Sequence, residues 1–195
     1  MGQRLRIDIS PQFCILAAIM LLLLPLPWLM GWGLAVVLHE LSHCAMLCFC
    51  AVPIRGIYLG NHGVLIQTDA MPPWKTVISS LAGPLGGLLL LLTGKLFPQA
   101  AVCALLLSVY NLLPVYPLDG GRAFQAFTDG IFGEKASICI CNLVELHVLS
   151  PILMLGLLAA FFWKLGLMPL LLAVILCLRL GKIKIPCKST LNAVQ

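Results

Sequence analysis

Apolar residues run along most of the chain in long blocks, separated by short polar or Pro- and Gly-containing stretches. A helix that crosses a bilayer needs about 20 apolar residues. The pattern predicts six such spans, at residues 12–24, 28–52, 74–92, 97–113, 143–163 and 165–180. The first is short, and extends either backwards across 7–10 or forwards through 25–27. The predicted fold class is an all-α polytopic membrane protein.

Composition excludes an ordinary water-soluble globule. Of the 195 residues, 61% are hydrophobic and 10% are charged, whereas soluble domains average about 25% charged. The lipid bilayer is therefore the predicted surrounding of a single domain, 1–195, with a core at about 10–180 and a short basic tail at 181–195. The nine cysteines are dispersed and odd in number. We therefore expect them to be reduced and to pack as small apolar side chains rather than to form disulfides.

The positive charge predicts membrane orientation. The net charge is +5, but Lys and Arg form no basic helix or aromatic-interleaved stripe, so no nucleic-acid partner is predicted. Cytoplasmic loops retain Lys and Arg. With six spans and both termini in the cytoplasm, only Lys95 and Lys164 lie outside, and the inner side holds Arg4, Arg6, Arg55, Lys75, Arg122, Lys135, Arg179, Lys182, Lys184 and Lys188.

Two loops on the predicted cytoplasmic side contain residue patterns that predict a defined local structure. Residues 57–59 and 64–68 are β-type runs joined by Gly and Asn, which predicts a small cytoplasmic-side β-hairpin between the second and third spans. We expect its edge to accept an extended substrate strand. In the other loop, residues 111–122, Pro114 and Pro117 cannot continue a regular helix, so the backbone there is predicted to be unwound.

An H-E-x-x-H sequence lies in the second span. At 3.6 residues per turn, His39 and His43 share one helix face and can bind one Zn²⁺. Glu40 is then placed to take a proton from an attacking water. Ionisable groups inside a spanning helix are costly, and are functional or paired by default. The alternative is a polar patch that only packs helices together.

A catalytic zinc usually has three protein ligands, and Asp119 is the candidate for the third. It follows the unwound prolines, and the two glycines after it allow close approach of the backbone. A plain Asp-Gly turn is the alternative.

Other polar residues carry weaker signals. Cys50 lies on the histidine face but about 10 Å along the helix axis from His43, and His62 is predicted to be solvated at the hairpin tip. Glu145 and His147 either form an intramembrane relay or mark the inner edge of the fifth span, which we favour. Residues 82–87 predict close packing of small residues with a kink.

Three sequence blocks resemble the signatures of the site-2 protease family of intramembrane zinc metalloproteases. They are GWGLAVVLHELSHCAMLCFC (31–50), LAGPLGG (81–87) and NLLPVYPLDGGR (111–122). Their order and spacing look closest to the bacterial sporulation branch, which processes pro-sigma-K. The resemblance covers about residues 10–180. Sporulation members usually carry a C-terminal CBS domain, and we expect the short basic tail in its place.

This resemblance implies a zinc metalloendopeptidase. It implies that His39, His43 and Asp119 hold Zn²⁺ and that Glu40 is the catalytic base. The substrate is expected to be a membrane or membrane-associated protein, such as a sigma factor precursor during sporulation. The enzyme is expected to lie in a bacterial cell membrane, with its active site towards the cytoplasm.

The same resemblance implies that Asn111 and Pro114 help to line the substrate channel. The resemblance is also compatible with an inhibitory membrane protein as partner. Two alternatives stay open at this point. A divalent-metal transporter would place ligands at several depths across the membrane, whereas a non-catalytic zinc-binding membrane protein would hold clients without turnover.

Overall fold

The computed structural model describes residues 6–60 and 63–162, which are mostly helical with one small sheet. A short 3₁₀ helix, Leu89–Thr93, continues the third helix. The elements in chain order are β1 (Arg6–Ile9), α1 (Pro11–Leu23), α2 (Leu26–Phe49), β2 (Ile54–Gly60), β3 (Gly63–Thr68), α3 (Pro73–Leu88), α4 (Pro98–Asn111), α5 (Asp119–Phe132) and α6 (Glu134–Phe162).

Within residues 6–60 and 63–162, two helices are long and apolar enough to cross a bilayer: α2, and α3 together with its 3₁₀ continuation. They coincide with the second and third predicted spans. The helices α1 and α4 occupy the first and fourth predicted spans and are shorter apolar helices. The fifth predicted span, 143–163, lies within α6 as far as Phe162. Its last residue and the whole sixth span, at 165–180, lie outside the described residues.

Helix α6 starts at Glu134, ahead of the predicted start at residue 143. Its first turns pack against α5 rather than against lipid. Ser137 is fully buried there, 2.5 Å from the Thr128 hydroxyl, and its own hydroxyl donates to the carbonyl of Gln125 at 3.3 Å. This polar contact between two helices explains why an apolar-run criterion does not detect the start of α6.

Helix α5 is absent from the predicted spans because it is amphipathic rather than apolar throughout. The unwound backbone is confined to residues 112–118, and α5 begins at Asp119. It ends at Phe132, and Gly133 after it has a φ of +79°, in the left-handed region that favours glycine. The prediction of irregular backbone through residue 122 is therefore wrong for its last four residues.

The predicted hairpin is present as β2 and β3 and is extended by a third strand. β1 pairs with β2 in parallel and β3 pairs with β2 antiparallel, so β3 lies at one edge of the described sheet. Neither predicted extension of the first span occurs. Ser10 begins α1 instead: its hydroxyl accepts from the Phe13 N–H at 3.3 Å, and its own N–H donates to the Leu59 carbonyl at 2.8 Å.

Side-chain size is distributed as in a membrane bundle. The core is formed by residues of α2, the 3₁₀ helix and α4, most of them small: Ala35, Leu90, Cys103 and Ala104. Many large apolar residues point outwards, including Leu22, Phe49 and Leu92, which are 86%, 87% and 84% exposed. Small residues between helices allow the close backbone approach that packs helices in lipid. The seven described cysteines are free thiols.

Candidate metal centre

Helix α2 supplies two of the three candidate ligands. His39 and His43 lie one turn apart on its buried face, in the same stripe as Ala35 and Leu47. Both imidazoles are almost fully buried, whereas Glu40, the next residue round the helix, is half-buried. The helical period thus directs the two rings into the bundle and leaves the glutamate at their side.

Asp119, the first residue of α5, completes a three-residue cluster. Its Oδ2 lies 3.0 Å from His39 Nε2 and 3.2 Å from His43 Nε2, and the two Nε2 atoms lie 3.2 Å apart. Tetrahedral zinc with bonds of about 2.0–2.1 Å places neighbouring ligand atoms roughly 3.3 Å apart. The three atoms therefore have the spacing that one zinc ion requires.

The hydrogen bonding around His43 also favours a cation. Its Nδ1 lies 2.7 Å from the carbonyl oxygen of Ser79, which can only accept, so we assign the ring proton to Nδ1. The neutral ring then presents the Nε2 lone pair to the Asp119 carboxylate, which is also an acceptor. A shared cation relieves this contact between acceptors, so the donor set fits Zn²⁺.

Helix α3 fits against these rings because its glycines leave space for them. A Cβ built at Gly83 would collide with the imidazole of His43, and one at Gly86 would collide with the Ser42 side chain. Pro84 lies inside the same helix and is fully buried. The predicted close packing of residues 82–87 is therefore present, and its partner is the ligand-bearing face of α2.

The loop before α5 brings Asp119 to the histidines. A Cβ at Gly121 would collide with the backbone of Val115, so the loop folds tightly onto the start of α5. Glu145 of α6 is 4% exposed, and its Oε1 accepts from the Tyr116 N–H at 2.7 Å. Sequence reasoning missed this contact; the only signal was an acidic residue in an apolar helix.

A cavity of about 330 Å³ opens beside the cluster. It is framed by α2, β3, the end of α4 and the start of α5, with Glu40 on its wall. Asn111 lines it and donates its Nδ2 proton to the Leu107 carbonyl at 3.1 Å. Pro114 does not line it whereas Pro117 does, and the proposed contact of Pro114 with substrate stays a prediction.

The weaker candidates have other surroundings. The carbonyl of Cys50 accepts from the Lys75 ammonium group at 2.7 Å. His147 is exposed, and its Nδ1 lies 2.8 Å from the Leu143 carbonyl. Glu145 bonds to the loop backbone rather than to His147, which favours the interpretation without a relay. His62 lies outside the described residues.

The chain has the fold of a site-2 protease. The solved structure of the site-2 protease from Methanocaldococcus jannaschii matches with a TM-score of 0.60 and 23% sequence identity, over 86% of this chain and 85% of that one. No protein-family model matches the chain.

Sequence relatives agree with the fold. The chain is 28% identical over 170 residues to stage IV sporulation protein FB of Bacillus subtilis, and 29% identical over 139 residues to a zinc metalloprotease of Methanocaldococcus jannaschii. The matches cover 76% and 64% of this chain, but only 59% and 41% of those proteins. These relatives confirm the resemblance predicted from the motifs, and support zinc as the metal and a metalloprotease as the class of enzyme.

Proposed function

We propose that the chain is a zinc-dependent intramembrane endopeptidase that cleaves a membrane-associated protein. The observation that carries this proposal is the buried cluster of His39, His43 and Asp119 beside a cavity that has Glu40 on its wall. A transporter needs polar ligands along a path across the membrane. The described residues offer a single such cluster, which favours hydrolysis.

Bound zinc supplies Lewis acidity, which polarises the scissile carbonyl and makes a water molecule a stronger nucleophile. Glu40 accepts the proton as that water attacks and returns it to the leaving amine. Asn111 donates a side-chain hydrogen bond to the substrate backbone. The surrounding apolar helices limit water to the cavity, which strengthens these electrostatic interactions.

The substrate reaches the cluster as an extended segment added to β3. Val64, Leu65 and Ile66 all line the cavity although they are consecutive. Neighbouring residues of a strand point to opposite faces, so β3 presents its edge, with its free backbone groups, to the cavity. A regular substrate helix would keep its carbonyl groups bonded internally, whereas an added strand exposes one of them beside Glu40.

The proposed setting is a bacterial cell membrane. The chain crosses it six times, with both termini and the cavity towards the cytoplasm and most Lys and Arg on that side. The name of the Bacillus relative, stage IV sporulation protein FB, supports a role in sporulation. We further propose a sigma factor precursor as substrate and an inhibitory membrane protein as partner. The names of the zinc metalloprotease relatives support the protease class only.

The catalytic assignment is tested by Glu40→Gln. We expect cleavage of co-expressed, tagged pro-sigma-K to fall at least ~100-fold, because a general base contributes a factor of this order. Zinc content of the purified chain should stay at one ion, because Glu40 is not a ligand. Undiminished cleavage by this variant would overturn the assignment. If the native chain does not cleave pro-sigma-K, membrane proteomics of cells with and without active Glu40 identifies the membrane proteins whose cleavage depends on Glu40.

The ligand assignment is tested by Asp119→Asn. Loss of the carboxylate charge should weaken zinc retention at least ~100-fold, beyond the 10–100-fold typical of residues that only support a ligand. Competition with a chelator of known zinc affinity measures this. Zinc retention equal to that of the native chain would remove Asp119 from the ligand set.

A further inference from the structure

The two histidines of the cluster differ in what supports them. His43 Nδ1 lies 2.7 Å from the Ser79 carbonyl. His39 Nδ1 is buried and has no hydrogen-bond partner among the described residues. Metal-binding histidines almost always donate the N–H of the other ring nitrogen, which fixes the tautomer and the ring orientation. His39 is therefore the ligand whose support is missing.

A second unpartnered polar atom lies near His39. Ser108 of α4 is 0% exposed, and its hydroxyl oxygen has no partner among the described residues. A Cβ built at Gly87 would stand 2.7 Å from Ser108 Oγ and 4.0 Å from His39 Nδ1. Both atoms thus border the small space that Gly87 leaves by having no side chain.

We propose that Ser108 is a positioning residue for His39. Its hydroxyl accepts the Nδ1 proton of His39, directly after a rotation about its Cα–Cβ bond or through one water in the space over Gly87. A buried ring N–H and a buried hydroxyl both need a hydrogen-bond partner, and this bond supplies one to each. It holds the Nε2 lone pair of His39 towards the other two ligands.

This inference rests on the proposed function in one respect, namely that His39 is a zinc ligand. It adds that α4 supports the metal, so that three helices hold the two histidines: α2 carries them, α3 orients His43 and α4 orients His39. It also gives Gly87 a role, because any side chain there would fill the space that the bond crosses.

The test compares Ser108→Ala with Ser137→Ala in the purified full chain. Both serines are fully buried, but Ser137 bonds to α5 through Thr128 and Gln125. We expect Ser108→Ala to weaken zinc affinity 10–100-fold, measured by chelator competition, and to change the visible absorption of the Co²⁺-loaded chain. Without metal, the imidazole proton of His39 can move to Nε2, 3.0 Å from Asp119 Oδ2, so the melting temperature without metal should hardly change. Ser137→Ala should lower that melting temperature and leave zinc affinity and the Co²⁺ spectrum unchanged.

A double-mutant cycle checks the geometry. Gly87→Ala places a methyl group against the Ser108 hydroxyl and should also weaken zinc affinity. In the Ser108→Ala background the same change should have a smaller effect, because the bond it disrupts is already absent. Strict additivity, or native zinc affinity and an unchanged Co²⁺ spectrum in Ser108→Ala, would overturn the proposal.

Failure of the proposed function looks different. A native chain that binds no zinc overturns the protease assignment, whereas undiminished cleavage by Glu40→Gln overturns the role of Glu40 as the base. If the native chain binds zinc and cleaves, and the Ser108→Ala variant binds zinc equally well, only the role of Ser108 is overturned.

Discussion

The site is built from residues whose separate signals have different strengths. The spacing of His39 and His43 follows from helical geometry alone, so the sequence was sufficient to place both rings on one face. Asp119 could be nominated from its chemistry and from the prolines before it. The supporting contacts of the Ser79 carbonyl and of Glu145 could not be predicted. Every residue has a backbone carbonyl, so the sequence does not indicate which one accepts a hydrogen bond. A glutamate in an apolar helix indicates a polar contact but not the group with which it is made.

Gly83 offers the sharpest test at the scale of one residue. A methyl group at Gly83→Ala would collide with the His43 ring, so the ring must leave its position. We expect zinc content to fall and cleavage to drop by roughly 100-fold, as for a displacement of about 1 Å at a catalytic site. Gly33→Ala is the control, since no atom lies within 4 Å of the Cβ it would add. Equal zinc content in both variants would show that the site tolerates the methyl group.

At the scale of elements, apolar runs predicted helices well and amphipathic or mixed segments poorly. α2 and α3 lie where the pattern placed them, because helices facing lipid are uniformly apolar. α5 was missed because it has polar residues on one side. β1 was missed because it is short and lies immediately before α1. Both missed elements depend on partners distant in sequence: β1 on β2, and α5 on α3.

The hairpin carries an ion pair whose titration can be followed. Arg55 of β2 donates two hydrogen bonds to Asp69, which follows β3, at 2.8 Å and 2.6 Å. The guanidinium hydrogen bonds hold the pKa of the Asp69 carboxyl below its ordinary value of 3.8. Because the folded-state pKa is lowered, the stabilisation is present above the ordinary pKa and is lost as pH falls through the lowered one.

Arg55→Gln should therefore return the pKa of Asp69 to its ordinary range, as measured by NMR titration of the side-chain carboxyl carbon. The effect on unfolding should be small, because both side chains are exposed to water and screening weakens such pairs. Lys75→Gln, at a cation that bonds to Cys50 instead, serves as control. A titration of Asp69 that is the same with and without Arg55 would show that the pair does not form in solution.

At the scale of the whole molecule, membrane insertion is the property most fully predicted from composition. Large exposed side chains such as Leu22 and Phe49 need lipid around them, and no rearrangement of the core would cover them all. Orientation depends on the distribution of Lys and Arg along the chain, a property the sequence displays directly.

The predicted orientation can be measured with reporters fused after Gln195. We expect green fluorescent protein at this position to fluoresce, and alkaline phosphatase to stay inactive, because the proposed topology places both termini in the cytoplasm. A cleavable signal peptide fused ahead of the phosphatase reporter alone provides the active control. The opposite pair of signals would reverse the proposed topology.

The cluster joins parts of the chain that are far apart in sequence: His43 and Asp119 are separated by 76 positions. An ion held there acts as a cross-link between the first and second halves of the bundle, and its binding free energy becomes folding free energy. Loss of zinc would therefore weaken the packing of the two halves of the bundle against each other, as well as the proposed catalysis.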